Sequence, residues 1–323
     1  MRGLSLLLLV LSLTSCRPTS SLPTPKSSQP PETTSQPVDF PLGSLQPGNL
    51  FSNVLGKDFD YQVYLPAGYD NSTQRYPTIY LLHGRGDSYY SWQIIQTDLD
   101  QLIAAGRVSP LIAILPDVPA NKRASYFVDS GYRLEPIQGG KVETAFVQDL
   151  IPHIDATYRT IPTRSARAIA GYSMGGYAAT RYPLAHPELF SAAIILSPAV
   201  YFPLPPSDSS ARQFGAFGNE EVIFDEAIYK EKNYPALLPA FENARLPFYA
   251  YIAVGDDEWR NPAPEDYEHD LDFEAARLYN KLVHTPYVVA QFRVMNGGHD
   301  WDVWRPAFIE GVSWISRFLN TSQ

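Results

Sequence analysis

Three things are scarce in this chain, and each scarcity excludes something. Its 323 residues include a single cysteine, Cys16, so no internal disulfide and no cysteine-built zinc or iron–sulfur site can form. There is no basic excess. Lys and Arg number 25 against 34 Asp and Glu, a formal charge of −9, which excludes the phosphate-neutralising surface of a nucleic-acid binder. No apolar run reaches the roughly 20 residues that span a bilayer; the one that opens the chain, Leu4 to Thr14, is about eleven residues long. What is present is ample for a core: 45% of residues are hydrophobic and only 18% charged, the balance of a globular protein rather than a disordered one.

The first residues read MRGLSLLLLVLSLTSC. A basic Arg2, a short apolar stretch and Leu13-Thr14-Ser15-Cys16 have the layout of a secretory leader, and the ending resembles the bacterial lipobox, in which cleavage precedes a cysteine that is then lipidated. The lone cysteine stands at the position the motif requires. Residues 1–15 are therefore expected to be a lipoprotein signal peptide and Cys16 a lipid attachment site, giving a membrane-anchored protein outside the cytoplasm, at the cell surface or in the periplasm. Residues 16–47 are dominated by Pro, Ser, Thr and Gln, a composition that cannot bury enough surface to offset its ordering entropy. They are expected to be a tether, with the folded domain at 48–323.

Beyond that point apolar runs of strand length alternate with helical periodicity. Residues 59–65 (FDYQVYL) alternate and stop at Pro66, which suits an edge-type antiparallel strand. Residues 78–82 (TIYLL), 111–115 (LIAIL), 166–170 (ARAIA), 192–196 (AAIIL), 248–254 (FYAYIAV) and 287–294 (YVVAQFRV) read as further strands, most of them apolar enough to be buried on both faces. Helical spacing falls at 94–105, 142–158 with an interruption at Pro152, 175–186, 269–283 and 301–318. Repeated strand–helix units imply an α/β domain with a mostly parallel sheet flanked by helices on both faces, in which ligands sit at the carboxyl ends of strands.

The motifs fall at those ends. Gly171-Tyr172-Ser173-Met174-Gly175 is a G-x-S-x-G between a strand and a helix, the context of a nucleophile elbow. Gly171 and Gly175 relieve the clash that side chains would make in so tight a turn, and the following helix aims its N-terminus at charge developing near Ser173. In elbows of this kind an acid and then a histidine follow in the chain. Of six histidines, His299 is best placed, in Gly297-Gly298-His299-Asp300-Trp301 after the last strand; the other five, His269 among them, suit surface or capping roles. The loop after 248–254 offers Asp256, Asp257 and Glu258. Glu258, three residues past the strand-end glycine, is favoured, with Asp257 as the alternative. An oxyanion hole needs two backbone N–H groups, expected from Met174 and from Arg85 in the 81–87 loop (LLHGRGD). Residues 256–272 are rich in carboxylates but lack EF-hand spacing, so a solvated loop is expected there and no metal. The proline- and serine-rich stretch 201–219 is long enough to be a lid or substrate wall.

Together LLHGRGDSYYSW, GYSMGG and GGHDWDVW resemble the esterase D branch of the α/β-hydrolases, which includes feruloyl esterases, enterobactin-type esterases, S-formylglutathione hydrolases and mycolyltransferases. The resemblance runs over residues 49–318. It implies the α/β-hydrolase fold, Ser173 as nucleophile, His299 as base and an acid from the 255–259 loop; the family's usual aspartate is replaced by Glu258. It further implies a serine carboxylesterase acting on a carbohydrate-linked, hydroxycinnamoyl or siderophore-type ester, with no cofactor. Gly84, Trp92, Tyr172 and Trp301 are candidate substrate contacts, although core packing accounts for the tryptophans, Trp304 included, equally well. The alternatives are acyl transfer to a sugar alcohol on the same residues and a non-catalytic binding protein on a hydrolase scaffold.

Overall fold

The computed structural model of the chain describes residues 40–118 and 120–322; the leader, Cys16 and most of the expected tether lie outside the described residues. Ten strands are found among them: β1 (Ser44–Ser52), β2 (Lys57–Leu65), β3 (Thr78–Leu82), β4 (Ile112–Pro116), β5 (Gly131–Tyr132), β6 (Arg167–Tyr172), β7 (Ala192–Leu196), β8 (Asn219–Glu220), β9 (Phe248–Gly255) and β10 (Val288–Met295). The helices are α1 (Gln96–Ala104), α2 (Val142–Ala145), α3 (Ile151–Thr157), α4 (Met174–Ala185), α5 (Glu226–Lys232), α6 (Tyr234–Ala244), α7 (Leu271–Val283) and α8 (Trp301–Ile315).

Eight strands make one sheet in the order β1-β2-β4-β3-β6-β7-β9-β10. The pairs β1–β2 and β2–β4 are antiparallel and every pair from β4 to β10 is parallel. This is the expected α/β-hydrolase arrangement. Because side chains alternate across a strand, each central strand feeds two cores. Ile79, Leu81, Ala113, Leu115 and Ile194 pack with Leu99 of α1 and Val312 of α8. Tyr80, Leu82, Ile114, Ile195 and Ile252 pack on the other face with Ala178 of α4, Phe241 of α6 and Leu278 of α7. From β3 the chain moves outward to β4, then returns past β3 to β6, so the order reverses between β3 and β6. Such a reversal opens a crevice at the carboxyl ends of the strands.

The strand over 59–65 is not at an edge. It lies between β1 and β4, and β1 begins at Ser44, inside the stretch whose composition suggested a tether. Pro47, expected to end the tether, lies within β1, and an edge strand tolerates a proline that cannot donate. Gly48 pairs with Tyr61, and a Cβ on it would lie 2.4 Å from the Tyr61 ring, so the ring occupies the space a side chain would need. The fold is already engaged at Gly43, whose N–H donates to Asp100 Oδ1 at 2.8 Å, beside the 2.7 Å bond from Tyr64 to the same oxygen. The working boundary therefore lies near residue 40 rather than 47.

A chain begun at Gly48 should melt roughly 5 °C below one begun at Phe40, the shift that about 2 kcal/mol produces in a domain of this size. Equal midpoints by differential scanning calorimetry would mean that the first half of β1 contributes nothing.

Candidate active site

Ser173 occupies a backbone conformation that few non-glycine residues adopt, φ 55° and ψ −118°, a region costing of order 1–3 kcal/mol. Its surroundings hold it there. Its N–H donates to Leu196 O at 2.9 Å, and its carbonyl accepts from Tyr177 N (3.0 Å) and Ala199 N (3.1 Å). The turn is also too tight for side chains. A Cβ on Gly171 would stand 2.2 Å from Gly175 O, and one on Gly175 2.2 Å from Leu82 O. The two glycines of the motif are thus required by close approach of β6, α4 and the end of β3.

The loop after β9 carries Glu258, only 2% exposed. Its Oε2 lies 2.7 Å from His299 Nδ1; its Oε1 accepts from Ser197 Oγ at 2.5 Å and from Gly255 N–H at 2.9 Å. Ser197 Oγ in turn accepts from Trp304 Nε1 at 3.0 Å, and the Trp304 ring meets His299 edge-on, centroids 5.0 Å apart. Burial alone would push the Glu258 carboxyl up, but these hydrogen bonds and the attraction of the imidazole outweigh it and hold it below the ordinary carboxylate value. Neither neighbouring acid reaches His299. The side chain of Asp257 is exposed and only its N–H is engaged, to Gly297 O at 2.9 Å. Asp256 Oδ1 accepts from Gly297 N–H at 2.9 Å and so steadies the loop that bears His299.

Ser173 and His299 line one cavity of about 370 Å³. Among the described residues no hydrogen bond joins them, a separation common before substrate closes such a site. Arg85 is also on the wall. Its N–H makes no hydrogen bond to a described residue, and that of Met174, the first residue of α4, has no partner within the helix. The buried ring of His83 holds Gly84 O from Nδ1 at 2.8 Å. In a trans peptide the N–H points opposite the preceding carbonyl, so this bond also fixes the direction of the Arg85 N–H. The Arg85 guanidinium lies 5.9 Å from the Phe214 ring.

Four expected substrate contacts are not found on this wall. Trp92 and Tyr172 are 0% and 1% exposed. Tyr172 stacks on Trp304 at 4.3 Å and donates to Asp87 Oδ2 at 2.6 Å. Tyr172 is the last residue of β6 and turns its ring into the core beneath α1 and α8, whereas Ser173 has already left the strand for the elbow. Gly84 is buried against the Tyr172 ring, and Trp301, half-buried, packs edge-on to Trp92 at 5.2 Å. These residues support the floor rather than line it.

The wall is built instead by residues that carry no motif. Tyr201, Pro206, Asp208, Ser209, Ser210 and Gln213 come from the long 201–219 segment, with Trp259, Asn261 and His269 from the stretch before α7. The segment is pinned: β5 pairs with β8, Asn121 Nδ2 donates to Phe214 O at 2.7 Å, and Ser130 Oγ donates to Gly215 O at 2.5 Å. It is a fixed wall, not a free lid. In the acidic 256–272 stretch Asp270 Oδ1 accepts from both nitrogens of Asn261 at 2.8 Å and Asp272 pairs with Arg260 at 3.0 Å, while Asp257, Glu265 and Glu268 are exposed. Among the described residues no group of three or more His, Cys, Asp or Glu is arranged to hold a metal.

Comparison with known families decides the kinship. The family described as "Putative esterase" matches residues 52–315. The chain belongs to this esterase family. The esterase is 30% identical over 202 residues to the endo-1,4-beta-xylanase/feruloyl esterase of Xylanibacter ruminicola, a match taking in 59% of the chain but 27% of that relative. It is 24% identical over 290 residues to the acetyl esterase of Caldicellulosiruptor saccharolyticus, covering 83% of the chain and 97% of the relative. A solved ferulic acid esterase superposes with a TM-score of 0.67 at 25% identity over 86% of the chain and 100% of its own. The chain shares the α/β-hydrolase fold of that esterase.

Because folding depresses the Glu258 carboxyl, its contribution to stability is complete above the ordinary carboxylate value of 4.5 and is lost as pH falls through the depressed one. The gap in melting temperature between the native protein and Glu258→Gln should therefore be widest near neutrality and narrow below that value. A gap undiminished at about pH 3 would contradict the ionised pairing.

Proposed function

We propose that the esterase cleaves esters whose alcohol is a sugar, through an acyl-enzyme on Ser173. One observation carries this reading above the others. The Glu258-bound imidazole of His299 and the Ser173 hydroxyl share a cavity walled by hydroxyl and amide side chains, among them Tyr201, Ser209, Ser210 and Gln213. Trp259 also lines this cavity and is 66% exposed. An aromatic face set beside many hydrogen-bonding groups suits a sugar ring, which is apolar on its faces and polar at its rim. One relative's name joins a feruloyl esterase to an endo-1,4-beta-xylanase, which supports an ester borne on a polysaccharide.

In this reading His299 Nε2 takes the Ser173 proton as the hydroxyl attacks the ester carbonyl, and Glu258 fixes the tautomer and stabilises the imidazolium. The oxyanion is received by the N–H groups of Met174 and Arg85. As the tetrahedral intermediate collapses, the carbon–oxygen bond to the sugar breaks and His299 returns the proton to the departing alkoxide. A water molecule, deprotonated by the same imidazole, then attacks the acyl-enzyme and frees Ser173 and the acid. We further propose that the protein works outside the cytoplasm on a lipid anchor at Cys16, a reading supported by the leader sequence alone.

Ser173→Ala should lower kcat on an aryl acetate by about 10³-fold or more while leaving the melting temperature within a few degrees; turnover at the native rate would refute the mechanism. Glu258→Gln should cost about 10³-fold in kcat, whereas Asp257→Asn should stay within about twofold. Steady-state kinetics showing the reverse order would assign the acid to Asp257.

A further inference from the structure

The cavity that contains Ser173 and His299 is lined by a second imidazole. His269, 9% exposed, sets its Nδ1 2.7 Å from Oε1 of Glu274, the same ring nitrogen and the same distance as in the His299–Glu258 pair. Glu274 is fully buried. Its carboxylate also accepts from the Phe202 N–H at 2.9 Å and from Arg277 Nη1 at 3.0 Å, so it joins the first turns of α7 to the start of the 201–219 wall. With Nδ1 committed to this carboxylate, the Nε2 edge of the ring is left without a hydrogen-bond partner among the described residues, in a side chain that forms part of the cavity wall.

The two pairs are not equivalent. Burial dominates at Glu274 and holds its carboxyl above the ordinary value despite three donors, whereas Glu258 is held below. The Glu274 pair is thus the weaker support for an imidazolium, which argues against a second proton relay and for a binding role. A neutral ring whose Nδ1–H is donated offers Nε2 as an acceptor, and a protonated ring offers a donor. A hydroxyl satisfies either, because it both donates and accepts. Around His269 the wall is polar and fixed: Asn261 is clamped by Asp270 at 2.8 Å, and Trp259 stands exposed nearby in the chain.

We propose that His269, held in place by Glu274, binds a free hydroxyl of the substrate's sugar alcohol and sets the preference for sugar esters over simple alkyl esters. This rests on the sugar-ester reading above. His269 is the residue that touches substrate; Glu274 is a positioning residue acting through it.

The test uses the full-length esterase and esters matched in acyl group: 5-O-feruloyl arabinose against methyl ferulate, and xylose monoacetate against ethyl acetate. The native protein should prefer the sugar member of whichever pair it accepts. His269→Ala should raise KM for that sugar ester about tenfold more than for its alkyl partner, the worth of one hydrogen bond, with kcat changed by less than about threefold. His269→Gln, which keeps an amide to bond with, should recover part of the loss, and Glu274→Gln should shift the same ratio with the protein still folded by circular dichroism. Equal losses on both members of a pair, or a native protein without preference for the sugar, would overturn the role of His269 while leaving an active esterase. No turnover of any of the four esters would instead sink the substrate class on which the inference stands.

Discussion

Everything at the site depends on keeping one carboxylate charged where almost no water reaches it. A buried carboxylate costs several kcal/mol unless its lone pairs are occupied. Glu258 receives three donors, each from a different part of the sheet's carboxyl edge: the Gly255 N–H at the end of β9, the Ser197 hydroxyl just past β7 and the imidazole that follows β10. The carboxylate therefore binds three strand ends together as it orients His299. Trp304, at the start of α8, completes the chain by fixing the Ser197 hydroxyl. Loss of this compensation would disturb the register of loops as well as a proton acceptor, so stability and catalysis are linked through the same atoms.

The nucleophile is held by a different constraint, steric rather than electrostatic. Ser173 is kept at positive φ by hydrogen bonds from the β7 side, and the glycines flanking it allow β6, α4 and the β3 end to approach closer than any side chain permits. The strain is local and is offset by the two cores beneath, where burying each Leu, Ile or Val is worth about 1.5–3 kcal/mol. The cores on both faces and the hydrogen-bonded wall above hold the elbow and the strand-end loops in place, the kind of preorganisation that electrostatic stabilisation of a transition state uses.

How much of this was legible in the sequence varies with the physics involved. The central strands were, because residues buried on both faces make continuous apolar runs, and AAIIL matches β7 end to end. The elbow was, because steric necessity leaves a glycine signature. Strand β1 was not, because an edge strand accepts the proline and glycine that elsewhere announce a turn. Helices α5 and α6 also went unread; Pro235 and Pro239 interrupt the periodicity of α6, although the first is harmless near a helix start. Tyr172 and Trp92 are core residues rather than contacts, and composition cannot say whether an aromatic ring at a strand end or in a short helical turn faces the cleft or the core. Ser197 and His269 were missed for a related reason: their importance lies in partners such as Glu258 and Glu274, brought to them by the fold without any spacing motif.

The central claim is that Ser173 owes its reactivity to the Glu258-held His299. Mass spectrometry of tryptic peptides after brief exposure of the folded esterase to a fluorophosphonate measures that dependence at the atom concerned. A single phosphonylated residue is expected, Ser173, labelled rapidly in the native protein and at least about a hundredfold more slowly in His299→Ala. Labelling at another residue, or labelling of Ser173 at an undiminished rate without the imidazole, would contradict that claim.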